Sequence, residues 1–394
     1  MQESNRNPLK VLFLSAWYPN EQDSMFGLFV KKHAVAVSRK CNVMVLYACA
    51  DKNATSKYRI TENKENNLNE IHVYYKEASS GKTKKLINFF RWIKAYQTAY
   101  TIMKKKWGQP QIIHANILTR IPVLALYLKY TRNIPYIITE HWSRYLESHN
   151  TFHNILHQRL TKLAISKSSE LTVVSDLLGK SMINKKVCNA YTLLPNVIDT
   201  NLFKIRENKE SAHVKTLLHI SCFEERSKNM SGVLHTIKLL SEKRDDFVLR
   251  MVGWGMNYQQ TVELADKLGL LDRFVVFEGL KEGNDLASII SEADLTVLFS
   301  NYETFGIVVY ESLSCGIPVM VSDVADFKKL IGTEYGIVAN NNQPENLAKS
   351  LNNLLDRLSD YAPEKLRNFA VANFSEEVVC NKILNIYKNA INSR

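Results

Sequence analysis

The stretch that decides how this chain reads is Asp294-Leu295-Thr296-Val297-Leu298-Phe299-Ser300, followed by Asn301-Tyr302-Glu303-Thr304-Phe305-Gly306-Ile307-Val308-Val309-Tyr310-Glu311. The apolar run over 294–300 predicts a buried strand. After Gly306 the apolar positions take helical spacing through Cys315. Gly316 suits a helix C-cap, and Ile317-Pro318-Val319-Met320-Val321 predicts the next strand. Glu303 then falls in the loop at the carboxyl end of a strand, and Glu311 early in the helix that follows. The backbone N–H groups of Phe305 and Gly306 open that helix and suit an anion. Carboxylates accept from sugar hydroxyls, so the pair suits a ligand rich in hydroxyls and carrying phosphate. Two glutamates near a helix start are equally ordinary decoration when taken alone.

Working outward, the 394 residues suffice for two domains of ordinary size. Charged residues at 23% and hydrophobic ones at 45% fit a globular protein, and no apolar run reaches membrane-spanning length. Residues 11–18 are apolar but short and lack a small-residue cleavage site, so they predict a strand and not a signal peptide. Cysteines stand at 41, 49, 188, 222, 315 and 380, with no C-x-x-C pair. Neither a zinc site nor a disulfide framework is expected, and the expected location is cytoplasmic. The net charge of +12 calls for an anionic partner: nucleic acid, an anionic membrane face or a phosphorylated substrate. There is no zinc-finger spacing and no RNP-like aromatic string, so nucleic acid is not expected.

Strand and helix patterns alternate from residue 9 to about 193, the signature of a parallel α/β sheet. They include a polar insertion over 53–69 and a helix over 152–166. Leu194-Pro195-Asn196-Val197-Ile198-Asp199 and the charged stretch 204–215 break the rhythm and suit a linker. Strands at 216–221, 247–252, 274–277, 295–299 and 319–322 resume it, and a helix over 376–391 ends the chain. Two α/β domains follow, 1–197 and 198–375, with 376–394 as a terminal helix.

The string Glu303, Phe305-Gly306, Glu311, Ser314-Cys315-Gly316, Pro318-Val319 resembles the signature of family 4 glycosyltransferases. That resemblance implies the GT-B architecture: α/β, with two Rossmann-like domains facing across a cleft and the last helix crossing back to the N-terminal domain. It implies retaining transfer of a sugar from a nucleoside-diphosphate sugar to a saccharide or lipid-linked glycan, in surface polysaccharide biosynthesis. Under it, Glu311 holds the ribose hydroxyls. Glu303, Thr304 and the Phe305-Gly306 amides hold the donor sugar.

Other motifs fit the same frame. No G-x-G-x-x-G follows the first strand, which argues against a dinucleotide-dependent oxidoreductase. Trp17-Tyr18-Pro19 with Gly27 and Lys31-Lys32-His33 resembles the family's first loop, near the donor phosphate. The residues alone favour Gly27 as a site of close packing at a helix start. Thr139-Glu140-His141 ends a strand, where doubly wound sheets face their ligand. His141 matches the family's sugar-contacting histidine, Glu140 is an acceptor-side candidate, and His114 a weaker one at another strand end. Ser175 resembles an acceptor-side position and equally fits a plain helix N-cap. After the second domain's first strand the family carries an arginine where this chain has Cys222; Lys228 fits the partner lysine, and Arg226 stands nearby. Gly253-Trp254-Gly255 resembles the family's Gly-x-Gly beside the nucleotide. No D-x-D occurs, in agreement with a transferase needing no metal or other cofactor.

Catalysis is thus expected from His141, Glu303 and Lys228. Two further readings stay open: a sugar-nucleotide 2-epimerase of the same fold, and a catalytically lapsed binding domain, motivated by Cys222. Finally, residues 82–107 predict a long helix with Leu86, Phe90, Ile93, Tyr100, Met103 and Trp107 on one face and lysines, from Lys82 on, crowding both ends. This reads equally as a peripheral contact with the inner, anionic face of a membrane and as a helix packed on the sheet with solvated lysines.

Overall fold

In a computed structural model describing residues 8–79, 81–149, 154–207 and 214–393, the chain divides into two compact units. The first holds residues up to 174, 178–197 and 379–394; the second holds 175–177 and 198–378.

Among the described residues, the first unit's sheet has eight strands: β1 (Lys10–Ser15), β2 (Asn42–Asp51), β3 (Tyr58–Glu65), β4 (Leu68–Lys76), β5 (Ile112–Asn116), β6 (Tyr136–Glu140), β7 (Glu170–Val173) and β8 (Thr192–Leu193). Their order is β3-β4-β2-β1-β5-β6-β7-β8. All neighbours are parallel except β3 and β4, an antiparallel hairpin that accounts for most of the polar insertion. Asn66 adopts φ 52° at its turn, a backbone state Asn tolerates better than most residues. Apolar residues cover both faces of the central strands, as a sheet flanked by helices on each side requires.

One face packs against the helices Leu28–Ser38 and Glu376–Asn392. Val379, Cys380, Ile383, Tyr387 and Ala390 recur at helical spacing, and all are buried among Val11, Phe13, Val30 and Val45. The expected helix over 152–166 begins outside the described residues. Ile155–Lys167 is helical, with Asn154 Oδ1 accepting from the His157 N–H at 2.9 Å. Part of the linker stretch 204–215 also lies outside the described residues.

The helix expected over 82–107 spans Lys84–Lys106, but its buried face is not the one periodicity selects. Met103 is buried together with Ala95, Tyr96 and Ala99, whereas Leu86 (57% exposed) and Phe90 (59%) face solvent beside Ile87 and Phe89. Ala95 and Ala99 let the helix approach the sheet closely, and an apolar tally gives such small residues little weight.

In the second unit, the described strands are β9 (Lys215–Ile220), β10 (Phe247–Val252), β11 (Val275–Gly279), β12 (Leu295–Leu298), β13 (Val319–Ser322) and β14 (Gly336–Ala339). They form a wholly parallel sheet ordered β11-β10-β9-β12-β13-β14. The four-residue edge strand β14 goes beyond the expected set; it opens on glycine and is too short to show a period. The order reverses at β9, so the loops after β9, β10 and β12 lie side by side at the carboxyl edge, where such sheets bind ligands.

Candidate functional site

In the second unit the loops after β9 and β12 are stitched together. The Asn301 N–H donates to Ser227 O at 2.8 Å, Asn301 Nδ2 to Arg226 O at 3.2 Å, and Asn229 Nδ2 to Phe299 O at 3.1 Å. Asn229 itself sits at φ 53°, ending the short helix Glu225–Lys228. This stitching brings Lys228 to Glu303, with Nζ 2.5 Å from Oε1. Ser300 Oγ donates to the same carboxylate oxygen at 2.9 Å. Ser300 is fixed in turn, its carbonyl accepting from Ser322 Oγ at 2.6 Å and Asn342 Nδ2 at 3.0 Å. Burial pulls the Lys228 ammonium toward its neutral form, but Glu303 more than offsets this and lifts its pKa above the usual lysine value. The result is a fixed cation–carboxylate pair, mostly shielded from water, at the carboxyl edge of β9 and β12.

Gly306 caps the helix Ile307–Ser314 at φ 73°, and a Cβ there would lie 2.4 Å from the buried Phe327 ring. Phe305 is itself buried, against Tyr310 at 4.7 Å and Phe374 at 5.6 Å, so its ring serves packing and only its backbone is placed to serve a ligand. Thr304 is partly buried and Glu311 almost wholly so. Burial, then the nearby Glu311, pushes the Cys315 thiol up to about 12. A Cβ on Gly253 would lie 1.9 Å from Ser221 O, and one on Gly255 2.7 Å from Phe223 N. Both glycines let the end of β10 pass the loop after β9, which is a structural demand. Cys222 is exposed, as is Arg226, one residue removed from the inward-turned Lys228.

In the first unit, Gly27 has φ 70°, and a Cβ there would lie 2.4 Å from the Trp17 backbone, so close packing at the helix start is what it provides. Trp17 continues this contact into an aromatic group with Phe26, Phe29 and Trp142. His141 lies beside Phe29 (4.5 Å between rings) and His33 (5.6 Å). Among the described residues the buried His141 ring nitrogens make no hydrogen bond of good geometry, although the Asn196 side chain lies near enough to act on the ring, and Asn116 Oδ1, Asn196 Oδ1 and His33 Nδ1 are likewise buried without one. Burial, then the nearby His33 and His114, hold the His141 pKa well below its usual value, so the ring is neutral. His33 and Asn196 lie beside His141, and poorly satisfied buried polar groups gathered in this way are costly unless they serve a ligand or water.

Glu140, expected on the acceptor side, lies in the interior. It is wholly buried, and its oxygens accept backbone N–H groups of Leu118, His141 and Trp142, each at 2.8 Å. It shapes the turn that carries His141. Burial raises its pKa to about 7 against those hydrogen bonds. His114 is likewise structural, with Nδ1 2.7 Å from Tyr387 Oη of the last helix and Nε2 2.6 Å from Thr139 Oγ1. Ser175 is buried just past the end of β7. His33, named in the first-loop resemblance but not among the expected site residues, lies beside His141. Its Nε2 donates to Pro195 O at 2.9 Å, and burial depresses its pKa to about 4. Its place on the stripe Val30, His33, Ala34, Val37 is the sequence signal that could have found it.

Two family models together match residues 36–370. One described as "Glycosyltransferase Family 4" takes residues 36–202, and one described as "Glycosyl transferases group 1" takes 202–370. Among curated relatives, N-acetyl-alpha-D-glucosaminyl L-malate synthase of Bacillus anthracis is 29% identical over 184 residues, 44% of this chain and 46% of that protein. O-antigen chain mannosyltransferase B of Escherichia coli is 29% identical over 177 residues, 43% of this chain and 45% of that protein. The matched region thus spans under half the length of these relatives. Among solved structures, sucrose-phosphate synthase of Thermosynechococcus elongatus superposes with TM-score 0.76 at 18% identity, covering 98% of this chain and 100% of that one. HepE of Anabaena, in complex with UDP and glucose, superposes with TM-score 0.69 at 17% identity, covering 96% and 99%. At these identities the likeness establishes the fold.

Proposed function

The chain belongs to the family 4 glycosyltransferases, and on that premise we propose that it moves a sugar from a nucleoside diphosphate to a hydroxyl of a saccharide or lipid-linked glycan, with retention of configuration, in the making of a surface polysaccharide. The observation that carries this reading is the Lys228–Glu303 pair, held by Ser300 at the carboxyl edge of β9 and β12, with the helix bearing Glu311 beginning just beyond it. Lys228 is the cation for the diphosphate. As the sugar–phosphate bond breaks, the leaving oxygen gains negative charge and a fixed ammonium stabilises it. Glu303 accepts from donor-sugar hydroxyls, and Glu311 from the ribose. The acceptor hydroxyl forms the new bond to the anomeric carbon and passes its proton to the departing phosphate oxygen. His141, neutral and with no hydrogen bond of good geometry within the chain, can offer its ring nitrogens to a sugar in place of the nearby Asn196. No metal is assigned a role, since Lys228 supplies the charge.

The exposed Leu86, Ile87, Phe89 and Phe90, close to Lys84 and Lys85, support peripheral contact with an anionic membrane, the surface that would present a lipid-linked acceptor. No helix among the described residues is long and apolar enough to cross one.

The test is thermal stabilisation by UDP, GDP, ADP and TDP. A ligand at a hundred times its Kd adds about 2.7 kcal/mol to the state it binds. The reading expects one nucleotide to raise the melting temperature and Glu311→Ala to abolish the rise. No rise with any of the four would favour a lapsed site instead, a reading that Cys222 motivates.

A further inference from the structure

The sheet face of the first unit opposite His33 and His114 is incompletely covered. The helices Lys84–Lys106, Ile121–Arg132 and Ile155–Lys167 leave a groove of about 860 Å³ between them, and Leu14 of β1 and Leu46 of β2 line it from the sheet. Strand alternation turns these two leucines away from the face that Phe13 and Val45 give to the opposite core. The walls are mainly apolar, with Trp92, Ile93, Val123, Leu124 and Leu160. No aspartate or glutamate lines the groove, whereas Lys94, Arg120 and Arg132 do, and none of these three forms an ion pair among the described residues. The Arg120 guanidinium lies over the Phe89 and Trp92 rings, 5.5 and 5.9 Å from their centroids. Tyr100, also lining the groove, has a buried hydroxyl without a hydrogen-bond partner. Beyond the groove the same helix carries the exposed Leu86 and Phe90 toward its start.

An apolar channel lined by unpaired cations and no anion complements one kind of molecule: a hydrocarbon chain with a negative head. The volume is that of a pocket enclosing a molecule, not of a flat patch that meets a protein. We propose that this groove binds the hydrocarbon chain of a single lipid phosphate, with Arg120, at the end of the groove where it overlies Phe89 and Trp92, serving its head. Only the identification of that lipid with the acceptor rests on the transferase reading; the binding itself does not.

The experiment titrates the full chain with dodecyl phosphate, below its micelle concentration, by calorimetry. Binding is expected at one per chain. Across octyl, decyl and dodecyl phosphates, each methylene should tighten it threefold to fourfold, the equivalent of about 0.8 kcal/mol. Val123→Trp and Leu160→Glu, on two different helices and at partly exposed positions, should each weaken it at least tenfold. Arg120→Gln should bring dodecyl phosphate down to the affinity of dodecanol, and inorganic phosphate should give no heat. Equal affinity in both groove variants, indifference to chain length, or uptake only with micelles would overturn the proposal. So would binding to phosphatidylglycerol vesicles that persists in both variants while dodecyl phosphate fails to bind, a result that would assign the helix to a membrane surface alone. The nucleotide panel run on the same samples separates the two readings. Lipid binding without any nucleotide shift would leave the groove and remove the transferase; the reverse would remove the groove alone.

Discussion

Glu303 Oε1 stands 2.5 Å from Lys228 Nζ, so the cation assigned to the diphosphate already has an anionic partner within the chain. A diphosphate arriving without a sugar meets the Glu303 charge and gains nothing from it. A donor carrying its sugar exchanges that repulsion for hydrogen bonds. Glu303→Gln should therefore act with opposite signs. Affinity for the bare nucleoside diphosphate should rise about fivefold to tenfold as the Lys228 charge is released. Turnover with the sugar nucleotide should fall about a hundredfold or more. Calorimetry and initial rates on one preparation read both, and a fall in both quantities would mean that the pair is a structural bridge.

His141 makes a prediction that separates function from folding. Its two ring nitrogens are buried and make no hydrogen bond of good geometry, with Asn196 only a weak neighbour, so the imidazole contributes little polar stabilisation to the fold. His141→Leu keeps the apolar contact with Phe29 and removes two unsatisfied atoms. The melting temperature should hold or rise, while kcat falls about a hundredfold. A substantial loss of stability would place His141 in the core as packing.

How much of this was legible in the sequence follows from what each feature depends on. The strands β9, β10, β12 and β13 declare themselves as short apolar runs, the last three with Gly, Asn or Pro close by, and Glu303 and Glu311 fall where a strand–loop–helix reading puts them. That Lys228 and Glu303 touch was not legible, because 75 residues separate them and hydrogen bonds from Asn229 and Asn301 to backbone carbonyls bring them together. Glu140 and His141 are adjacent in sequence and looked alike as strand-end polar residues. Backbone N–H groups take up the first and leave the second free, a distinction made by the fold of the turn. The misjudged face of the helix Lys84–Lys106 has a similar cause, since Ala95 and Ala99 mark the buried side by being small.

The same turn predicts a pH dependence. Burial raises the Glu140 carboxyl from 4.5 to about 7, so the folded state holds this proton more tightly than the unfolded chain does. The associated stability is fully present below pH 4.5 and is lost as pH rises through 7, by roughly 3 kcal/mol in all. His33 acts in the other direction. Its pKa falls from 6.5 to about 4, so its contribution is present above pH 6.5 and is lost as pH falls through 4. Denaturant midpoints of Glu140→Gln and the natural chain, compared from pH 4 to 8, should diverge in the variant's favour as pH rises. For His33→Gln the difference should instead move toward the variant as pH falls. A pH-independent difference for either would remove that group from the account.

Cys222 gives the last prediction. It is exposed, just past β9, on the loop that ends at Lys228. An arginine there would present two parallel N–H donors to a phosphate, which neither a thiol nor a lysine already engaged by Glu303 can do. Because the position is exposed, Cys222→Arg should fold normally. Affinity for the nucleoside diphosphate should rise about tenfold, or about 1.4 kcal/mol, with little gain for the matching monophosphate. Arg226→Ala completes the argument. If Cys222→Arg changes nothing and Arg226→Ala costs the natural chain tenfold in diphosphate affinity, Arg226 already serves in place of the missing arginine. If Cys222→Arg gains tenfold and Arg226→Ala costs nothing, the natural site works with Lys228 as its principal phosphate cation, and its donor affinity is correspondingly weaker.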